Sequence, residues 1–157
     1  MTTISNETAR QLSVNWIGFG IVTIVLAVIA FFLSPNAPLG SFWLPEPHMP
    51  VPNAVQLPLF ILLNVAEVVT FGIGVAFLFF GLPLMRRIAP ASTGLTRAAQ
   101  VSIAWLLLNW WPHDSLHVHN GMELNGLLVI EYVFHVTLMI AGVILAWFFL
   151  TLQRRTG

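Results

Sequence analysis

The sequence predicts an all-α integral membrane protein, one domain of four transmembrane helices packed as a four-helix bundle. Three observations predict it. Of the 157 residues, 57% are hydrophobic and only 8% are charged, with a mean hydropathy of +0.86, whereas soluble domains carry about 25% charged residues. Four apolar runs cover Val14 to Leu33, Leu57 to Met85, Leu95 to Trp111 and Leu127 to Leu152. About 20 apolar residues cross a hydrocarbon core of roughly 30 Å as a helix. The runs are continuous rather than alternating, which favours helices over a β-barrel. Finally, all six cationic residues are arginines (Arg10, Arg86, Arg87, Arg97, Arg154 and Arg155), and they fall in the two tails and the second link. The positive-inside tendency then puts both termini in the cytoplasm and the first and third links outside. The expected home is the cell inner membrane, crossed several times, with helices at about 14–33, 57–84, 96–113 and 122–152.

The first run lacks a basic leader and a small-residue cleavage site, so it is expected to be retained. The link that follows, residues 34–56, holds six prolines. Proline has no amide donor and a fixed backbone angle, so this link is expected to be an extended strap over the outer face. Glu46 and His48 lie on it, and His48 is weighed as an exposed loop residue or a lining residue of a site.

The second run contains Asn64 and Glu67, three apart and therefore on one helical face. Glu67 lies ten residues into the run, about 15 Å along it. A carboxylate at such depth costs at least ~2.5 kcal/mol, so it should face the interior and be protonated, paired or metal-bound. The third run ends in Asn109-Trp110-Trp111-Pro112-His113-Asp114-Ser115-Leu116-His117-Val118-His119-Asn120-Gly121. Three histidines and an aspartate lie here within seven residues. Pro112 is expected to kink or end the helix just before them, leaving 113–121 as a histidine-rich outer link. His113 and His117 share a face if the helix survives Pro112; His117 and His119 do if the chain is extended. The fourth run brings Glu131 and His135, four apart on one face. Asn120 and Glu123 before it have capping-box spacing, which gives Glu123 a structural role.

Acids and imidazoles from three helices are thus expected to share one layer. The candidate metal ligands are His113, His117, His119, His135, Glu131, Glu67 and Asp114, with Glu67 and Glu131 also the candidate catalytic groups. The chain has no cysteine, so the ligands are nitrogen and oxygen. That mix suits a transition metal ion, iron or zinc foremost and copper next, the last drawing also on Met49 or Met122. Haem b would leave two buried glutamates without a task. The resulting expectation is a non-haem metal-dependent enzyme, a membrane oxidoreductase acting on a lipophilic or small substrate at the outer leaflet. The alternative is a non-enzymatic metal-binding or ion- and proton-handling subunit of a larger membrane complex. A third reading has the polar groups only joining helices. The expected partners are the lipid bilayer, a lipophilic substrate, and a membrane protein or second copy of the chain. Zero formal net charge and no basic stripe argue against nucleic acid.

Overall fold

The computed structural model describes residues 14–48, 50–88 and 92–156, and every regular element among them is helical. Arg10, Met49 and Pro90 lie outside the described residues. Helix α1, Trp16–Leu33, starts at Asn15, whose side chain accepts from the Gly18 amide at 2.9 Å. It stops at Ser34, held extended by the following Pro35. The strap is not α-helical, as its prolines require, but it does contain one 3₁₀ turn, Gly40–Trp43. Helix α2, Leu57–Phe80, carries Pro58 in its first turn, where no amide partner is needed.

The helix expected over 57–84 is divided instead. It breaks at Gly81, and α3 (Leu82–Ile88) follows. Pro83 accounts for this, because its ring crowds the carbonyl four residues back, at Phe79, and it has no N–H to give. The buried Gln100 meets the break, its amide donating to the carbonyls of Phe77 and Leu78 at 3.1 and 2.9 Å.

The same chemistry divides the third run, with a different outcome from the one expected. Helix α4, Thr93–Leu108, is separated at Asn109 from α5, Trp110–Asn120. Pro112 ends the helix about a turn before its own position, at Leu108, and itself sits in the first turn of α5, where its absent N–H costs nothing. The carbonyl its ring would crowd is that of Leu108, the last residue of α4. Asn109 adds to the break by donating its side-chain amide to the Trp105 carbonyl at 2.6 Å. Residues 113–120 are therefore helical rather than an outer link. The turn closes at Gly121, in the left-handed region at φ 58°.

The last helix begins at Leu124, two residues later than expected, and its cap differs from the predicted box. Glu123 itself caps, accepting from the Asn125 and Gly126 amides at 2.9 and 2.6 Å, while the Asn120 amide donates to the Glu123 carbonyl. Helix α6 (Leu124–Ile130) runs through a π-helical segment, Glu131–Val136, into α7 (Thr137–Thr156).

Three helices are long and apolar enough to cross a membrane: Trp16–Leu33, Leu57–Phe80 and the continuous Leu124–Arg154. Helix α4 alone is shorter; its 16 residues span about 24 Å. The helices pack in chain order as a row, α1 on α2, α2 on α4, and α4 on α7. Two glycines let α2 sit between its neighbours. A Cβ at Gly72 would strike the Thr23 carbonyl of α1, and one at Gly74 would lie 2.7 Å from the Leu108 amide nitrogen of α4. One apolar cluster, Met85, Ala99 and Phe148, closes one end of the row. Another, Ala30, Val68 and Trp111, closes the other, under the strap.

Candidate functional site

The α4–α5 break decides where the polar residues go. Because α5 remains helical beyond Pro112, His113 and His117 stand one turn apart on one face. Their rings lie 4.5 Å apart between centroids, with Nε2 to Nε2 at 3.2 Å. On its other side, His113 Nδ1 lies 2.9 Å from Asp114 Oδ1. A carboxylate cannot donate, so His113 Nδ1–H donates to Asp114. One of the facing Nε2 atoms then donates to the other. If the proton is on His117, both rings are neutral; if His113 carries both protons, it is an imidazolium donating in two directions. The same heavy-atom positions accommodate either state.

The π-helical segment sets the partner side. Such segments are rare, often at functional sites, and rotate the residues they contain relative to an α-helix. This one begins at Glu131 and takes in His135. Glu131 Oε2 accepts from His135 Nδ1, and Glu131 Oε1 reaches to 3.9 Å from His117 Nε2. The latter separation is too long for a direct hydrogen bond but suits a bridging water. The His135 ring also lies 5.4 Å from that of His113, and Phe134 packs edge-on against His113 at 5.1 Å. His113 is largely covered at 12% side-chain exposure, while His135 is open at 49%.

Glu67 joins from α2, its carboxyl within hydrogen-bonding reach of Asp114. Glu67, Asp114, His113, His117, Glu131 and His135 thus form one connected series across three elements. His119 does not belong to it. Its Nδ1 donates to the carbonyls of Trp43 and Leu44, at 2.6 and 3.2 Å, and so fastens the strap to α5. His48 is exposed on the strap, its backbone amide donating to Glu46 Oε2. Glu46 in turn donates its amide to the Val118 carbonyl and packs where a Cβ on Gly121 would go.

Among the described residues, no group of three or more His, Asp or Glu side chains is arranged to hold a metal ion. The chemistry that the geometry displays is hydrogen bonding between titratable groups. The amides of Gly126 and Asn125 hold the Glu123 carboxyl below the usual carboxylate range.

Several supporting residues escape a reading of sequence alone. The Ser34 hydroxyl accepts from Trp111 Nε1 at 3.0 Å and lies 2.8 Å from Asn64 Oδ1, joining α1, α2 and α5. Trp105 Nε1 donates to Thr137 Oγ1 at 2.9 Å, holding α4 to the end of the π-helical segment. Nothing local in the sequence signals either contact. No known protein family, characterised protein or solved structure matches this chain.

Proposed function

We propose that this chain is an integral membrane protein whose histidine–carboxylate series handles protons, taking one up at the His113–His117 pair and sharing it with the flanking acids. One observation carries the reading: the two Nε2 atoms face each other at 3.2 Å with a carboxylate on either side of the pair. Groups that meet through hydrogen bonds can redistribute a proton without moving the backbone, and coupled groups release protons in steps that belong to the pair. The arginine distribution supports cytoplasmic termini, α4 and α5 together completing a fourth crossing and the series lying toward the outer side of the inner membrane. The half-open His135 and the apolar surface around it, Tyr132 at 66% and Val133 at 48% exposed, suit a partner subunit or second copy as well as lipid.

The test is a pH titration of ¹⁵N-histidine resonances, with the full chain in lipid nanodiscs. His113 and His117 should titrate in two coupled steps, and His113→Ala should leave His117 with one. Independent one-step titrations in the unaltered chain would overturn the reading.

A second reading keeps a transition metal, iron or zinc before copper, at a non-haem enzyme centre acting on a lipophilic or small substrate. The observation that favours it is the orientation of His113. An imidazole whose Nδ1–H is held by a carboxylate presents Nε2 as metal ligands commonly do. Donor atoms bound at about 2.1 Å to a tetrahedral ion sit roughly 3.4 Å apart, close to the His113–His117 spacing. Glu131 or His135 would then be further ligands, and Glu67 a general base. Elemental analysis after metal-supplemented expression separates the readings. A bound ion lost in His113→Ala moves the case to the metal, and a metal-free chain with coupled histidines leaves it with protons.

A further inference from the structure

The π-helical segment ends at Val136, and the next residue, Thr137, resolves a backbone problem that the segment creates. In an α-helix the Thr137 amide would donate four residues back, to the Val133 carbonyl. Here it donates to Phe134 instead, which deprives the Val133 carbonyl of its usual donor within an apolar helix. The Thr137 side chain supplies another. Its Oγ1 lies 2.6 Å from the Val133 oxygen and 3.0 Å from that of Phe134. A hydroxyl has a single proton, and the nearer carbonyl takes it. The hydroxyl oxygen in turn accepts from Trp105 of α4, whose Nε1 can only donate and does so at 2.9 Å. The same indole stacks on Phe134, with 5.8 Å between centroids and 16° between planes. Trp105 thus grips the segment twice, by its edge at Thr137 and by its face at Phe134.

We propose that Thr137, held by Trp105, is a positioning residue that keeps residues 131–136 in the π-helical form and so aims Glu131 and His135 at the His113–His117 pair. The inference rests on the proton-handling reading and names what maintains one arm of the series. The reason is geometric. At 3.6 residues per turn, one residue corresponds to about 100° of rotation. Converting the wide turns to α-helical ones shifts the register by a residue, which would swing Glu131 and His135 by about 100° relative to α7. Glu131 Oε1 would leave its place 3.9 Å from His117 Nε2, and the His135 ring its place 5.4 Å from that of His113. His113 and His117 both belong to α5 and would stay together.

The experiment follows two signals in the histidine-labelled full chain in nanodiscs: the through-space cross-peak between the His113 and His135 rings, and the Nε2–Nε2 coupling of His113 and His117. Thr137→Val keeps the branched shape and removes the hydroxyl. The His113–His135 cross-peak should be lost while the coupling persists. Thr137→Ser, which keeps a hydroxyl, should retain both signals. Thr151 makes the same kind of bond in the regular part of α7, to the Trp147 carbonyl at 2.8 Å, so Thr151→Val should also leave both in place. Should Thr137→Val not fold, Trp105→Phe takes its place: it keeps a stacking ring, drops the N–H, and should weaken the His113–His135 cross-peak. A cross-peak unchanged in Thr137→Val or Trp105→Phe, absent in Thr137→Ser, or lost equally in Thr151→Val would overturn the proposal. So would loss of both signals together in Thr137→Val, which would mark general disruption. A cross-peak that follows the hydroxyl in a chain without Nε2–Nε2 coupling would keep the positioning role and sink the proton reading. Coupling in a chain whose cross-peak ignores the hydroxyl would do the reverse.

Discussion

The two ends of the helix row are built on different principles. At one end, Met85, Ala99 and Phe148 pack with Phe77, Leu95 and Ile103, and the buried Gln100 donates its side-chain amide to the Phe77 and Leu78 carbonyls beside the helix break. At the other end, Ala30, Val68 and Trp111 supply the apolar packing, but the structure there is interrupted, roofed by a strap and threaded with acids and imidazoles. The first end holds helices together; the second holds titratable groups in contact. Both ends contain a helix break, but the Gly81 break is met by one amide, whereas acids and imidazoles gather at the Asn109 break and the π-helical segment. Irregular backbone inside a membrane persists only where protein or a cavity surrounds it.

That contrast can be broken from either side. The largest effect belongs to the apolar end. Phe148→Ala removes a ring that is 1% exposed and should cost about 3–5 kcal/mol in an SDS-unfolding titration. Below the unfolding transition, the histidine titration should be unchanged. Next comes the seam between the ends. Gly74→Val sets side-chain atoms against the Leu108 and Ala104 backbone and should cost about 1–3 kcal/mol in the same titration. Since it displaces the α4–α5 junction, it should also disturb the histidine resonances, as Phe148→Ala does not. At the polar end, Ser34→Ala leaves the Trp111 indole N–H without its acceptor, a loss of about 1–2 kcal/mol. Indole ¹⁵N–¹H spectra should show the Trp111 signal shift while that of Trp105, which donates to Thr137, stays put.

The smallest effect is a pH dependence. Amides hold the folded-state Glu123 carboxyl below the usual carboxylate range, so its contribution is present above that range and is lost as pH falls through the lowered value. Glu123→Gln should lower stability slightly at neutral pH, match the unaltered chain at pH below the lowered value, and so flatten the acid limb of a stability-against-pH curve.

The three helices apolar enough to cross a membrane and most of the polar series were legible in the sequence for a physical reason. A carboxylate or imidazole in an apolar run must find a partner, and steps of three and four say which share a face. That logic links Glu131 to His135 and His113 to His117. It also placed Glu67 in the same layer. Three features were not legible. Proline shows that a helix is disturbed, but only the carbonyl it crowds shows where, so Pro112 ends α4 at Leu108 and opens α5 rather than closing it. His119 carries the same chemistry as His117, and only the folded strap, with its Trp43 and Leu44 carbonyls, takes it out of the series. The helices meet as a row, α1 to α2 to α4 to α7, an order that helix periodicity does not supply because it specifies faces and not which faces meet.

The central claim is the shared proton between His113 and His117, and it has a direct signature. Scalar coupling between nitrogens of two different side chains arises only through an N–H···N hydrogen bond. In the ¹⁵N-histidine-labelled chain in nanodiscs, a cross-peak should connect the Nε2 atoms of His113 and His117 and vanish in His117→Gln. Two Nε2 resonances with no coupling at any pH at which the chain is folded would contradict it.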